Sequence, residues 1–405
     1  MNNRNLRSGF TTGACAAAGT KAALLFAEEK AVHEVKLSAL DGTLLTIPVQ
    51  SVSRQDGAVK AEIVKFSGDD PDITNGASVF TTVRRMPGRR GIFFRAGEGV
   101  GTVTRQGLAL PVGEPAINPG PRELIAQTIE SVTGRKRDEL DPGVEVEISI
   151  PGGLMLAQRT LNPTLGVEGG LSVLGTTGVL RPMSEDAFKR SLVPQLDVAL
   201  AAGFHEIVFV PGKIGQRLAL ACGIPAKSIV QTSNFVGYML EEAVQRDVKG
   251  ILFFGHIGKI VKIAAGIFYT HSHVADARME TIAAYGAAAG LSRDGVREIL
   301  AAPATEEGLA VLRREGLLDE TCAMLTERAG FRAGRFVSDA FPVGAVMTDY
   351  DGHILGCSQK AEEIGTHLGW HLDAWKALVA AEEAEAAEEG RVETEPLTER
   401  NDDDD

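Results

Sequence analysis

Ile207-Val208-Phe209-Val210-Pro211-Gly212-Lys213 and, further along, Gly250-Ile251-Leu252-Phe253-Phe254-Gly255-His256-Ile257-Gly258-Lys259 decide how this chain is read. Each begins as an unbroken run of β-branched, leucyl and aromatic side chains. Such a run suits a strand covered on both faces, the situation of a parallel sheet. Each then breaks at a glycine loop and passes into a helical pattern. Ser228 to Gln231 and Phe235 to Gln245 repeat the alternation between them. Upstream, Leu171 to Leu174 ends in Gly175, and Ser184 opens a helix to about Ala202 with Glu185 and Asp186 in its first turn. Strand, glycine loop and helix, four times over, predict a Rossmann-like, doubly wound α/β domain across 164–372. Helices dominate from Val274 to Arg328 as an insertion. A hairpin, Ala345 to Thr348 and His353 to Cys357, turns at Asp351-Gly352 before a last helix.

Residues 1–163 lack that rhythm. Thr12 is the expected cap of an alanine-rich helix running through Ala16 and Ala23 to Ala27. Alternating segments follow at Val35–Leu37, Leu44–Val49, Ala58–Val64, Ser78–Val83 and Val144–Ile150, with a helix over Pro121–Thr133. This predicts an α+β domain with a mainly antiparallel sheet. Residues 373–405 read as the end of a terminal helix and a disordered acidic tail. Twelve acidic residues against two arginines after Ala380 account for −10 of the formal net charge of −13, so the body is close to neutral.

Composition excludes several classes. The densest basic group, Arg84, Arg85, Arg89 and Arg90, has no interleaved aromatics, so no nucleic-acid partner is expected. Cys15, Cys222, Cys322 and Cys357 form no C-x-x-C pair, so no protein-bound metal is expected and a reducing, cytoplasmic compartment fits. Lys21 and Gly19 break the alanine-rich run near the start, which is not read as a secretion signal. Lys259, Lys262 and His256 interrupt the apolar stretch Ile251 to Tyr269, so no membrane partner is expected either.

Ligands of open parallel sheets sit at the carboxyl ends of the strands. Three such ends carry polar or glycine-rich loops: Gly175-Thr176-Thr177-Gly178 with Arg181 beyond it, Pro211-Gly212-Lys213-Ile214-Gly215, and Gly255-His256-Ile257-Gly258-Lys259. None is a Walker loop or a G-x-G-x-x-G fingerprint. Gly175, Thr176, Thr177 and Gly178 are the expected cofactor loop. Thr11, Thr12 and Gly13 open the first helix, whose free N–H groups suit a carboxylate, and Cys15 beside them could be an acidified thiol. With Arg181, Lys259 and Ser272 they form the expected substrate-binding set. His256, His271 and Asp276 are the expected catalytic groups, since a histidine titrates near neutrality. The plainer alternatives are helix capping for the threonines, backbone hydrogen bonds for the histidines and an ion-paired network around Asp276 and Arg278.

Four blocks in order carry a family resemblance: Arg7-Ser8-Gly9-Phe10-Thr11-Thr12-Gly13-Ala14-Cys15; Ala96-Gly97-Glu98-Gly99-Val100-Gly101 with Pro111 to Pro119; Gly175 to Ser184; and Gly255 to Lys259 with Thr270-His271-Ser272 and Ala275-Asp276-Ala277-Arg278. Together they span roughly residues 5 to 365, and the chain resembles the cobalt-precorrin-5B carbon-1 methyltransferases of anaerobic cobalamin biosynthesis. The acidic tail departs from the pattern. The resemblance implies two domains, the second Rossmann-like. It also implies methyl transfer from S-adenosylmethionine to carbon 1 of cobalt-precorrin-5B, giving cobalt-precorrin-6A, with neighbouring pathway enzymes as partners. It supplies no established catalytic set. Two other readings stay open: a non-catalytic tetrapyrrole carrier or assembly partner, and a nucleotide-dependent kinase or ligase, against which the missing Walker loop counts.

Overall fold

The computed structural model describes residues 6–371 and 373, in two compact units that divide after Ala202. The acidic tail lies outside the described residues.

In unit 1, helix α1 (Thr12–Ala27) covers one face of a five-stranded sheet. The strands are β1 (Ser51–Gln55), β2 (Ala58–Val64), β3 (Ser78–Met86), β4 (Ile92–Ala96) and β5 (Gly143–Ser149), in the order β1-β2-β3-β5-β4. All neighbours are antiparallel except β4 with β5. The alternation of β2 sends Ala61 and Ile63 inward beneath α1. Alanine both favours the helix and lets it approach closely. Gly19 is needed at the closest point, where a Cβ would stand 2.6 Å from Thr81 Oγ1. Helix α2 (Pro119–Thr133) packs along α1 and ends at Gly134 in the left-handed region.

Three sequence expectations are corrected here. The boundary falls after Ala202, not at 163, because the segment beyond Pro163 returns to unit 1. Val167 pairs with Val103, Leu171 and Val173 bridge to Val100 and Ile117, and Val179–Leu180 pairs with Gly9–Phe10. Leu171 to Leu174 is therefore no strand of the parallel sheet; Leu171 and Val173 join the unit 1 core, while Leu174 is exposed. The helix expected from Ser184 is two helices, α3 (Glu185–Leu192) and α4 (Pro194–Ala201), because Pro194 has no N–H to continue the ladder.

Unit 2 holds β6 (Glu206–Val210), α5 (Lys213–Ala221), β7 (Ile229–Gln231), α6 (Val236–Val244), β8 (Gly250–His256) and α7 (Ile257–Ala264). Four helices follow: α8 (Arg278–Ala288), α9 (Arg293–Ala301), α10 (Thr305–Arg314) and α11 (Leu318–Phe336). The chain then forms β9 (Val343–Thr348), β10 (Ile354–Cys357) and α12 (Gln359–His367). The sheet order is β7-β6-β8-β9-β10, parallel except for the last pair. The fourth parallel strand is thus β9, the first arm of the expected hairpin. Val208, Val210, Leu252, Phe254 and Val346 share one face with α5 and α12. Their alternates, including Phe209 and Phe253 in edge-on contact at 5.9 Å, point the other way. Among the described residues no helix is long and apolar enough to cross a membrane.

Candidate functional site

The strand order of unit 2 reverses between β6 and β8, because the chain moves outward from β6 to β7 and then returns to the other side. The loops leaving these two strands separate there and open a cleft, as open α/β sheets do. The cleft has a volume of about 250 Å³ and is walled by Pro211 to Gly215 from the β6 end and by Gly255, His256, Gly258 and Lys259 from the β8 end, with Arg278 and Tyr350 above. The helices α5 and α7 both begin at it. Their small residues are required by packing: a Cβ on Gly215 would stand 2.8 Å from the Phe254 carbonyl oxygen.

His256 is the N-cap of α7. Its Nδ1 accepts the Gly258 N–H at 3.1 Å, so Nε2 carries the proton and faces Glu306 Oε1 at 3.0 Å. The ring stacks on Tyr350 with centroids 3.8 Å apart. Burial holds its pKa below the usual histidine value, against the pull of Glu306. A neutral, doubly engaged imidazole orients the helix start and its neighbours.

Lys259 and Lys262 converge on the Thr270 carbonyl, each at 3.3 Å. Lys259 Nζ also donates to Asn234 Oδ1 at 2.7 Å, and the buried Lys262 to the Ala275 carbonyl at 3.0 Å. Burial lowers both pKa values; Lys262 and Arg278 lower that of Lys259 further, while Asp276 pulls that of Lys262 back up against Arg278. Asp276 holds Arg278 through two bonds, from Nε at 2.8 Å and from Nη2 at 2.7 Å. The hydrogen bond from Arg278 keeps the Asp276 carboxyl below its ordinary pKa, and Asp276 in turn raises Arg278. A carboxylate so paired stays ionised near neutrality and holds the guanidinium of Arg278 in place.

Of the other expected site residues, Ser272 is exposed and His271 half-buried, with Nδ1 accepting the His273 N–H at 3.2 Å. Neither lines the cleft; the buried Thr270, two residues before Ser272, is tied to it only through the bond its carbonyl accepts from Lys259.

The remaining expected residues belong to unit 1, where three expectations are corrected. Gly175 to Gly178 does not end a strand of the parallel sheet; it cradles the start of α1. The Gly178 carbonyl accepts Thr11 N–H at 3.0 Å, the Leu174 carbonyl accepts Gly13 N–H at 2.9 Å, and Thr12 Oγ1 accepts Leu174 N–H at 2.9 Å. Thr11 Oγ1 caps Ala14 N–H at 3.2 Å. Thr11, Thr12 and Gly13 are buried and bonded within the chain, so the expected open anion site at this helix start is absent. Thr176 and Thr177 stand in the same turn, Thr177 Oγ1 accepting Val179 N–H at 3.2 Å. Arg181 is exposed and 3.5 Å from Asp41. Cys15 is fully buried, and burial pushes its thiol up to about 12, opposite to the expected acidification.

Asp349, Asp351 and His353 bring three ligating atoms within 4.8 Å of one another. The Asp349 carboxylate is already spent, Oδ1 accepting the N–H groups of 351, 352 and 353 and Oδ2 facing His353 at 2.9 Å.

Sequence reasoning passed over Tyr350, Glu306 and Asn234, and it named Lys213 and Lys262 without giving either a site role. The sequence reading named Asp276 with Arg278 as an ion-paired network, but gave a site role to the acid alone.

The family model described as CbiD matches residues 1–182, and that of the CbiD C-terminal domain matches 269–359. A Moorella thermoacetica protein named cobalt-precorrin-5B C(1)-methyltransferase is 49% identical over 371 residues, 91% of this chain and 99% of that protein. One of the same name from Methanocaldococcus jannaschii is 44% identical over 86% of this chain and 95% of that protein. A solved cobalamin biosynthesis protein (cbiD) from Archaeoglobus fulgidus is 27% identical, with a TM-score of 0.36, covering 68% of this chain and 84% of that one. Identity at this level along nearly the whole of its relatives means that the chain belongs to the CbiD family, whose members are named as cobalt-precorrin-5B C(1)-methyltransferases.

Proposed function

We propose that this chain transfers a methyl group from S-adenosylmethionine to carbon 1 of cobalt-precorrin-5B, yielding cobalt-precorrin-6A and S-adenosylhomocysteine, in anaerobic cobalamin biosynthesis. The observation that carries this is the 49% identity running over 99% of a methyltransferase of that name. The sulfonium supplies an electrophilic methyl: its C–S bond breaks as the bond to carbon 1 forms. What the protein must add is alignment and exclusion of water.

We place the reaction at the cleft of unit 2, read as a Rossmann-like domain. Its four parallel strands and the reversal between β6 and β8 support this reading. Lys213, Lys259 and Arg278 are the ligand-binding groups, and His256 is a positioning residue. A cytoplasmic location fits four cysteines scattered along the chain with no C-x-x-C pair among them. The enzymes that supply its substrate and consume its product are the proposed protein partners.

Incubation of the purified chain with cobalt-precorrin-5B and methyl-labelled S-adenosylmethionine tests the activity. A labelled methyl on carbon 1 is expected; stoichiometric macrocycle binding without turnover would instead identify a carrier.

A further inference from the structure

This inference rests on placing the reaction at the cleft of unit 2, and concerns which chemical group that cleft grips. We propose that it is a carboxylate-binding subsite whose clamp is Arg278, with Asp276 as the residue that positions the clamp. Three observations converge. The cleft lining contains Lys213, Lys259 and Arg278, and no Asp or Glu. Asp276 uses only the Nε and Nη2 edge of the guanidinium, and Nη1 has no partner among the described residues. That Nη1 lies 3.9 Å from where a Cβ on Gly258 would stand, so it faces the bare start of α7, beside Lys259. A guanidinium fixed along one edge and open on the other presents donors at little cost in side-chain freedom.

Size narrows the ligand. About 250 Å³ is below the ~300–1,000 Å³ of pockets that enclose a whole drug-sized molecule. The cleft therefore takes one arm of a ligand. Two reactants carry such an arm: the methyl donor through its amino-acid carboxylate, and the macrocycle through its acetate and propionate groups. The clamp chemistry is the same for both.

The full chain and its Arg278→Gln, Arg278→Lys and Asp276→Asn variants, checked by circular dichroism, are titrated calorimetrically with S-adenosylhomocysteine and with 5′-methylthioadenosine. The latter keeps the nucleoside thioether and lacks the carboxylate. Loss of a charge-assisted bond should weaken carboxylate binding roughly ten- to hundred-fold. If Arg278→Gln weakens S-adenosylhomocysteine by that factor and leaves methylthioadenosine unchanged, the arm is the donor's. If both nucleosides bind as before and the KM for the macrocycle rises by that factor at constant kcat, the arm is the substrate's. Arg278→Lys should recover part of the loss. Asp276→Asn should give a smaller loss, and the double variant no more than Arg278→Gln alone, as expected of a residue acting through another. Unchanged affinities and KM, or equal weakening of both nucleosides, overturn the proposal. The site reading is tested separately by Gly215→Val, which displaces the cleft wall without touching Arg278. Undisturbed binding of both reactants in that variant means that the reaction lies elsewhere.

Discussion

His256 and Tyr350 stack with ring centroids 3.8 Å apart and planes inclined by 26°, joining the N-cap of α7 to the loop after β9. The stack buries the imidazole, and burial is the larger influence on its pKa, which lies below 6.5 in the folded chain. The unfolded state therefore binds this proton first as pH falls. The stabilisation is fully present above about pH 6.5 and is lost as pH falls from there toward the folded pKa. Urea denaturation of the wild type should show stability decreasing below pH 6.5. His256→Asn, which can still cap but does not titrate, should flatten that slope. An unchanged slope would show that another group controls it.

On the proposed reading, the same neutral, doubly bonded imidazole positions its neighbours and transfers no proton. His256→Asn should lower kcat by less than about tenfold, against the 10²–10⁴-fold expected for removal of a general acid or base. Steady-state kinetics on this variant decide between the roles.

Gly215 and Gly212 stand three residues apart at the start of α5 and should respond oppositely. A Cβ at Gly215 meets the Phe254 carbonyl at 2.8 Å, whereas Gly212 has open space and an extended φ of −175° that any residue adopts. Gly215→Ala should cost about 1–3 kcal/mol and weaken binding of S-adenosylhomocysteine. Gly212→Ala should leave stability within about 0.5 kcal/mol of wild type. Denaturation midpoints and calorimetric titration measure both.

Gly175 separates the structural reading of its loop from the cofactor reading. Its φ is +132° and a Cβ would stand 2.2 Å from Thr11 Oγ1. Gly175→Ala should destabilise the chain by on the order of 3 kcal/mol, combining backbone strain with overpacking. The folded fraction should bind S-adenosylhomocysteine with unchanged affinity; a selective loss of binding would return the loop to the donor site.

Cys15, Cys222 and Cys322 are buried, and burial raises each thiol to about 12. At pH 8 roughly one in ten thousand of each would be thiolate. A thiol reagent should therefore modify one cysteine quickly, the half-buried Cys357, and the others only on unfolding. Peptide mapping identifies the site; rapid labelling of Cys15 would contradict its burial.

Local pattern was enough for much of this chain. The unbroken apolar runs at Ile207 and Gly250 gave strands because a run without polar alternation is only stable between two layers. The alternation at Ala58 to Val64 gave a half-covered antiparallel strand for the converse reason. The placement of His256 and Lys259 at a strand end followed from adjacency along the backbone, and the order of four motif blocks identified the family. Tertiary structure alone decided the rest, because it turned on which distant segments meet. Leu171 to Leu174 carries the composition of a buried strand, and composition does not say which of two cores receives it; backbone pairing with Val100 and Ile117 does. Thr11 to Gly13 looked like an open helix start until the Leu174 and Gly178 carbonyls occupied its donors. Tyr350 reaches His256 only because β9 lies beside β8 in register, with Thr348 opposite His256. Side-chain type sets what a residue can do, but the free donors and acceptors left after folding set what it does, and those depend on long-range contacts that no local window contains.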